Sequence, residues 1–162
     1  MGVFVTLPAA PVTGQAVWEE SALPGGVEFR LRNAEGAVIV LQCVNQGVRA
    51  RFTFAEPLQA PERVWLRAVP GDQLPVRVTA VGEHTVQVED PRGVHFVLRT
   101  LRGTVRIVVR APDRQASFAI FGSEATVHDC MRQMDVYGLP RPGINLSGGT
   151  VPGANGRDDD PE

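Results

Sequence analysis

Two cysteines, Cys43 and Cys130, stand at positions that predict a covalent link across the fold. Cys43 ends an almost continuously apolar segment, residues 37–44, which is typical of a central β-strand. Cys130 recurs with Val127 and Met131 at helical spacing, so these three side chains share one face of a helix. A disulfide between helix and strand is therefore predicted, and the alternative is two separate buried thiols in a reducing compartment.

Side chains able to act as acid, base or nucleophile do not form a catalytic pattern. The three histidines, at positions 84, 95 and 128, fall in three different segments. Ser123 lies in the sequence Phe-Gly-Ser-Glu-Ala rather than in a Gly-x-Ser-x-Gly elbow, and helix capping explains its position. His128 and Asp129 are adjacent on a predicted helix, so their side chains diverge. We therefore expect no enzymatic activity.

The chain also lacks the sequence patterns of cofactor and metal sites. No Gly-rich loop joins a predicted strand to a predicted helix at the spacing that phosphate binding requires. The sequence contains no Cys-x-x-Cys pair, which would indicate a zinc site. The acidic run Asp158-Asp159-Asp160 lacks the glycine spacing of a calcium-binding EF-hand loop. The sequence predicts no cofactor, no metal and no identifiable small-molecule substrate.

Arginine supplies the one surface signal, since all 16 basic residues are arginine. Along the predicted strands, arginines alternate with apolar residues and so lie opposite the core. We single out Arg49 and Arg51 on one strand, and Arg63, Trp65 and Arg67 on another, as a candidate partner-binding face. Guanidinium groups bind carboxylates and phosphates, and both Trp and Arg are favoured at protein interfaces. The alternative is an ordinary solvated sheet face.

Composition limits the classes of partner. The 162 residues suffice for one domain with its own core, at 43% hydrophobic and 21% charged residues. A net charge of −2 argues against nucleic-acid binding, which needs a basic excess. No apolar run approaches the roughly 18–20 residues of a membrane span. We expect a protein partner, or a homo- or hetero-oligomeric assembly.

Hydrophobic periodicity predicts a mainly β fold. Alternating or continuous apolar patterns mark strands over residues 27–32, 37–44, 48–54, 62–69, 76–81, 84–88, 104–110 and 115–121. For residues 94–102 we expect a strand that ends in a helical turn. One helix over about residues 123–137 follows the last strand. The predicted architecture is an antiparallel β-sandwich or barrel-like meander with this C-terminal helix docked on it.

Proline and glycine mark the predicted domain boundaries. Residues 1–24 are expected to form an extended Pro-rich N-terminal arm without an intact signal peptide, anchored by Val17-Trp18. Residues 25–137 form a single β-rich domain. Residues 138–162 are expected to be a flexible, Gly/Pro-rich acidic tail.

The order of these elements carries a family resemblance. The chain has a cysteine after an early central strand, then a late hairpin with the sequence VRIVVRAPDRQASFAIFGS, and then a final helix with the second cysteine. This resembles small exported bacterial β-sandwich proteins, such as the invasion-associated locus B class and accessory proteins of type VI secretion. The resemblance covers about residues 27–137 and implies the cell envelope and no enzymatic role.

Two functions are consistent with these observations. The first is a non-enzymatic binding module that is periplasmic or secreted. The alternative is a structural subunit of a larger assembly, such as a virion, phage or appendage component, in which the terminal arms contact neighbouring subunits. The alternative location is a virion or the cytoplasm. The long arms predicted at both ends favour this alternative.

Overall fold

The computed structural model describes residues 15–45 and 47–136, which fold into nine strands and two helices. The predicted C-terminal tail and residues 1–14 of the predicted arm lie outside the described residues. In chain order the elements are β1 (Glu19–Leu23), β2 (Gly26–Arg32), β3 (Val38–Val44), β4 (Gly47–Thr53), β5 (Arg63–Val69), β6 (Gln73–Ala80), β7 (Thr85–Val88), α1 (Pro91–Gly103), β8 (Arg106–Arg110), β9 (Gln115–Ala119) and α2 (Glu124–Val136).

All nine strands belong to one antiparallel sheet in the order β1-β2-β3-β4-β7-β6-β5-β8-β9. Strand β6 is shared between two parts of it, since its first five residues pair with β5 and its last three pair with β7. The predicted mainly β, antiparallel class with a helix near the C-terminal end is confirmed. The finer choice of a sandwich or a barrel stays a prediction.

One hydrophobic core lies against one face of this sheet and beneath both helices. Alternate residues of β2 to β9 point into it, and the side chains between them form what we call the outer face. The largest fully buried core residues include Ile39, Leu41, Phe52, Leu66, Leu101, Ile107, Phe118 and Ile120. Both helices contribute to this core, so sheet and helices bury one continuous cluster.

Helix α1 corrects the prediction for residues 94–102, which form neither a strand nor an isolated turn. The helix runs from Pro91 to Gly103, and the side chain of Asp90 accepts a hydrogen bond from the backbone N–H of Arg92. Asp90-Pro91 is thus an N-cap followed by proline at the first helical position, which is a typical helix start. The apolar residues that share its buried face are Phe96, Val97, Leu98 and Leu101.

The sheet also begins earlier than predicted, inside the segment assigned to the N-terminal arm. Strand β1 pairs with β2 from Glu19 opposite Arg30 to Leu23 opposite Gly26. Its sequence EESAL lacks the alternation that identifies a strand, because most of it is exposed at the sheet edge.

Just before β1, Trp18 anchors the chain as predicted. Its side chain is half-buried, and Nε1 donates a hydrogen bond of 2.9 Å to Oγ of Ser123. Val17, the other half of the predicted anchor, is 76% exposed. The hydroxyl of Ser123, for which we predicted helix capping, accepts this bond and so holds the N-terminal segment against the start of α2.

The predicted disulfide between Cys43 and Cys130 is confirmed. Their Cα atoms lie 5.4 Å apart, within the range that a disulfide spans, and both residues are fully buried. The bond joins β3 to α2 across 87 residues of chain. It therefore ties α2 to the part of the sheet formed by the early strands.

We expect the Cys43→Ala and Cys130→Ala variants of the oxidised protein to lose similar stability, about 2–5 kcal/mol each, because either change opens the same long loop. The double variant should lose little more than either single variant. Urea denaturation measures all three, and reduced wild-type protein is the control that should show a comparable loss. Unequal losses that add in the double variant would contradict a shared bond.

Gly93 provides a second test, because α1 packs closely against the sheet there. A Cβ at Gly93 would lie 2.7 Å from a methyl group of Val88 and 2.8 Å from one of Val76, whereas nothing lies within 4 Å of a Cβ at Gly103. Gly93→Ala should lower the free energy of unfolding by about 1–3 kcal/mol through overpacking. The matched control Gly103→Ala should raise it by up to about 1 kcal/mol through helix propensity. Thermal denaturation measures both variants, and equal changes in the free energy of unfolding for Gly93→Ala and Gly103→Ala would refute the close packing of α1.

Candidate functional site

The predicted arginine face is divided between two separate places on the sheet. Arg49 and Arg51 lie on β4, whereas Arg63, Trp65 and Arg67 lie on β5, all at outer-face positions. Strands β7 and β6 lie between β4 and β5. At about 4.8 Å per strand, the two groups are about 14 Å apart. The sequence pattern placed each residue on the outer face. It could not show that β7 and β6 lie between β4 and β5 in the sheet.

Trp65 packs within the β5 part of this face. The guanidinium of Arg110, its cross-strand neighbour on β8, lies 5.1 Å from the centroid of the Trp65 ring. Pro75 lies opposite Trp65 on the other side, on β6. This cation–π contact and the cross-strand packing account for the half-buried state of Trp65 without a partner.

The β4 part of the face adjoins a buried carboxylate that sequence reasoning missed. Glu28 on β2 is only 5% exposed, and its carboxylate accepts hydrogen bonds from Nε of Arg30 and from Nε2 of Gln42. Burial by itself raises the pKa of Glu28, but these two hydrogen bonds and the charges of Arg30 and Arg51 outweigh it, so the pKa lies below its usual value of 4.5. Beside it, Arg51 donates to the side-chain oxygen of Gln87. This part of the face is therefore a hydrogen-bonded network within the sheet.

We expect Glu28 to contribute to stability fully above about pH 4.5 and to lose that contribution as the pH falls through its lowered folded-state pKa. The loss in stability between about pH 4.5 and pH 2.5 should therefore be smaller in Glu28→Gln than in the wild type. Urea titrations at several pH values measure this slope. Gln42→Leu, which removes one donor and keeps the carboxyl, should reduce the slope part of the way. A wild-type slope in both variants would show that Glu28 does not carry the effect.

A different site appears where the two ends of the sheet approach each other. Asn33, just after β2, donates from its side-chain amide to the backbone oxygen of Ser117 on β9 at 3.0 Å. The side-chain oxygen Oδ1 of Asn33 accepts hydrogen bonds from the backbone N–H groups of Glu35 and Ala37. Asn33 thus orders the turn after β2 and also bridges it to the free edge of β9.

Hydrogen-bond parity shows which backbone groups of β9 point outward. The backbone N–H and C=O groups of even-numbered residues in this segment point toward β8. The N–H of Ile120 donates to the oxygen of Val105, and the N–H of Ala111 donates to the oxygen of Arg114 in the same register. Odd-numbered residues therefore point away from β8. The oxygens of Ser117 and Phe121 accept from the Asn33 side chain and from the N–H of Ala16, respectively. Between them, Ala119 has no partner for its outward N–H and oxygen within the described part of the chain.

The opposite wall is the last part of β2, which β1 does not cover. Pairing with β1 ends at Arg30, so the outward backbone groups of Arg32 have no partner among residues 15–45 and 47–136. Between these two strands lies what we call the edge cleft, with a volume of about 450 Å³. Its lining comprises Gln15, Ala16, Val17, Leu31, Arg32, Asn33, Ala34, Glu35, Arg106, Ser117, Phe118 and Ala119.

The chemistry of the edge cleft suits an extended polypeptide. The β9 wall presents the backbone N–H and oxygen of Ala119, the β2 wall presents those of Arg32, and Leu31 and Phe118 provide an apolar floor. The segment QASFA of β9 carries no charged residue, although charged side chains and prolines are the usual protection of an edge strand. The lack of charge in 115–119 was the only signal of this site in the sequence. The pairing order that makes β9 an edge was not predictable.

Comparison with protein-family models, with curated proteins and with solved structures finds no match for this chain. No helix in the described ranges is long and apolar enough to span a membrane. Within the same ranges, no three His, Cys, Asp or Glu side chains are grouped as metal ligands would be.

Proposed function

We propose that the protein is a non-enzymatic binding module that recognises an extended segment of a protein partner in the edge cleft. The observation that carries the proposal is the backbone N–H and oxygen of Ala119, which have no partner among residues 15–45 and 47–136 and face the cleft between the two sheet ends. A strand added beside β9 would satisfy these groups with backbone hydrogen bonds, which is the general mode of recognition by β-strand addition.

The size of the cleft limits the bound segment to a few residues. The oxygens of Ser117 and Phe121 already accept hydrogen bonds, so the accessible edge lies between them. This stretch is about 13 Å long at about 3.3 Å per residue, and holds at most about four residues of an extended chain. Each backbone hydrogen bond contributes only about 1 kcal/mol net, so side-chain contacts must supply selectivity. Arg32, Arg106 and Glu35 stand at the rim for that purpose, and Arg106 donates to Oγ of Ser117.

The setting that we propose is the bacterial cell envelope or the extracellular space. A buried intramolecular disulfide is typical of proteins in non-reducing compartments. The resemblance to exported bacterial β-sandwich proteins points to the same compartments. A partner would accordingly be an exposed segment of another envelope or secreted protein.

The test exploits the outward direction of the N–H of Ala119. Ala119→Pro removes that donor without breaking a hydrogen bond to β8, and proline is tolerated on such edge positions. Peptides selected by phage display on the immobilised wild-type protein should bind Ala119→Pro at least tenfold more weakly. They should bind Ala119→Val with nearly wild-type affinity, since valine keeps the N–H and suits a strand. Isothermal titration calorimetry measures the affinities.

A further control separates the edge cleft from the arginine face. Arg63→Gln/Arg67→Gln changes two exposed side chains on β5 and should leave the affinity of the selected peptides unchanged. Peptides that bind Ala119→Pro as well as wild type, or that depend on the β5 arginines, would refute recognition at the cleft. The same holds if selection on the folded protein yields no binder.

A structural subunit of an assembly remains the second candidate, and one observation favours it. The N–H of Ala16 already bonds the oxygen of Phe121 at 2.8 Å, so the chain preceding β1 reaches the edge of β9. In an assembly, such segments would contact the edges of neighbouring copies. Light scattering after size-exclusion chromatography distinguishes the two candidates. Concentration-dependent oligomers that Ala119→Pro dissolves would favour the subunit, and a monomer would favour the binding module.

A further inference from the structure

A second surface, independent of the edge cleft, lies between the two helices. Helices α1 and α2 pack beside each other and leave an open groove of about 340 Å³, which we call the helix groove. Its floor is apolar and consists of Leu98, Val127 and Met131. Leu98 and Val127 are buried, while Met131 is half-buried and packs against the core.

One wall of the helix groove carries a stripe of basic side chains. His95, Arg99 and Arg102 follow one another on α1 at intervals of four and three residues, so they share one helix face. All three are exposed. Glu124 is the single acidic residue in the lining, and within the described ranges neither arginine forms an ion pair with a carboxylate. Arg99 is oriented by a cation–π contact to the Phe96 ring at 5.5 Å.

An apolar floor beside two guanidinium groups that have no carboxylate partner in the described part of the chain is complementary to a particular kind of ligand. Guanidinium groups bind carboxylates through two parallel hydrogen bonds, which adds geometry to charge attraction. The Cβ atoms of residues three apart on a helix lie about 5–6 Å apart. Alternate carboxylates of an extended chain are about 6.6 Å apart, and so match Arg99 and Arg102. An apolar side chain between or beside them would reach the floor.

We propose that the helix groove binds an acidic peptide segment of a partner protein, with two carboxylates on Arg99 and Arg102 and an apolar side chain on the floor. This site is separate from the edge cleft, for which the proposed binding depends on backbone hydrogen bonds to Ala119. A nucleic acid would meet Glu124 and an apolar floor, and the chain as a whole carries a charge of −2. A peptide uses both the charged wall and the floor.

The experiment is a fluorescence anisotropy titration of the full oxidised chain with the labelled probe Gly-Asp-Leu-Asp-Leu-Gly at low ionic strength. The probe should bind saturably below 1 mM, and Arg99→Gln/Arg102→Gln should weaken it at least tenfold. Arg63→Gln/Arg67→Gln removes the same charge on β5 and should change the affinity less than twofold. Replacing the aspartates of the probe by asparagine, or its leucines by serine, should each weaken binding at least fivefold.

Several outcomes would overturn the proposal. One is no saturable binding up to 1 mM, and another is an equal loss in both double variants, which would indicate charge attraction alone. Equal binding of the serine probe, or competition by inorganic phosphate as strong as by the unlabelled probe, would reduce the groove to an anion site. An Asp158→Asn/Asp159→Asn/Asp160→Asn variant that binds the probe at least tenfold more tightly would assign the groove to the chain's own acidic run.

Discussion

The disulfide between Cys43 and Cys130 is the constraint on which the arrangement of the other elements depends. It fixes α2 over β3, in the middle of the early strands, and the side chains around it belong to the common core. With α2 held there, α1 packs beside it and the helix groove forms between them. The start of α2 also places Ser123 where Trp18 reaches it, so the segment before β1 is held at the same corner.

The sequence predicted those parts of the fold that repeat a simple pattern. Strands such as β4 and β5 alternate buried apolar and exposed basic residues, and the disulfide followed from a helical stripe facing an apolar strand. Helix α1 was missed because alternation of Val94, Phe96 and Leu98 imitates a strand. Strand β1 was missed because an exposed edge strand has no core side to alternate with. In both, tertiary context rather than local pattern decided the structure.

The candidate sites were less predictable than the fold, and the reason is topological. Arg49 and Arg63 share the outer face, but the chain inserts β7 and β6 between their strands, so no single arginine cluster forms. The edge cleft joins residues 31–35 with residues 117–119, which nothing in either stretch links to the other. A binding site made of backbone groups also leaves no side-chain motif, since any residue presents an N–H and an oxygen. Only the order of the strands in the sheet shows which backbone N–H and C=O groups lie at an edge without a neighbouring strand.

Strand β6 gives the sheet a property that its continuous appearance hides. Its first five residues pair with β5 and its last three with β7, and both Val76 and Val78 point into the core. A slip of β6 by one residue would turn its buried side chains outward in both parts at once. The strand registers of the two parts of the sheet are therefore coupled through β6. The register of the part that contains the disulfide thus constrains the register of the part that ends in β9.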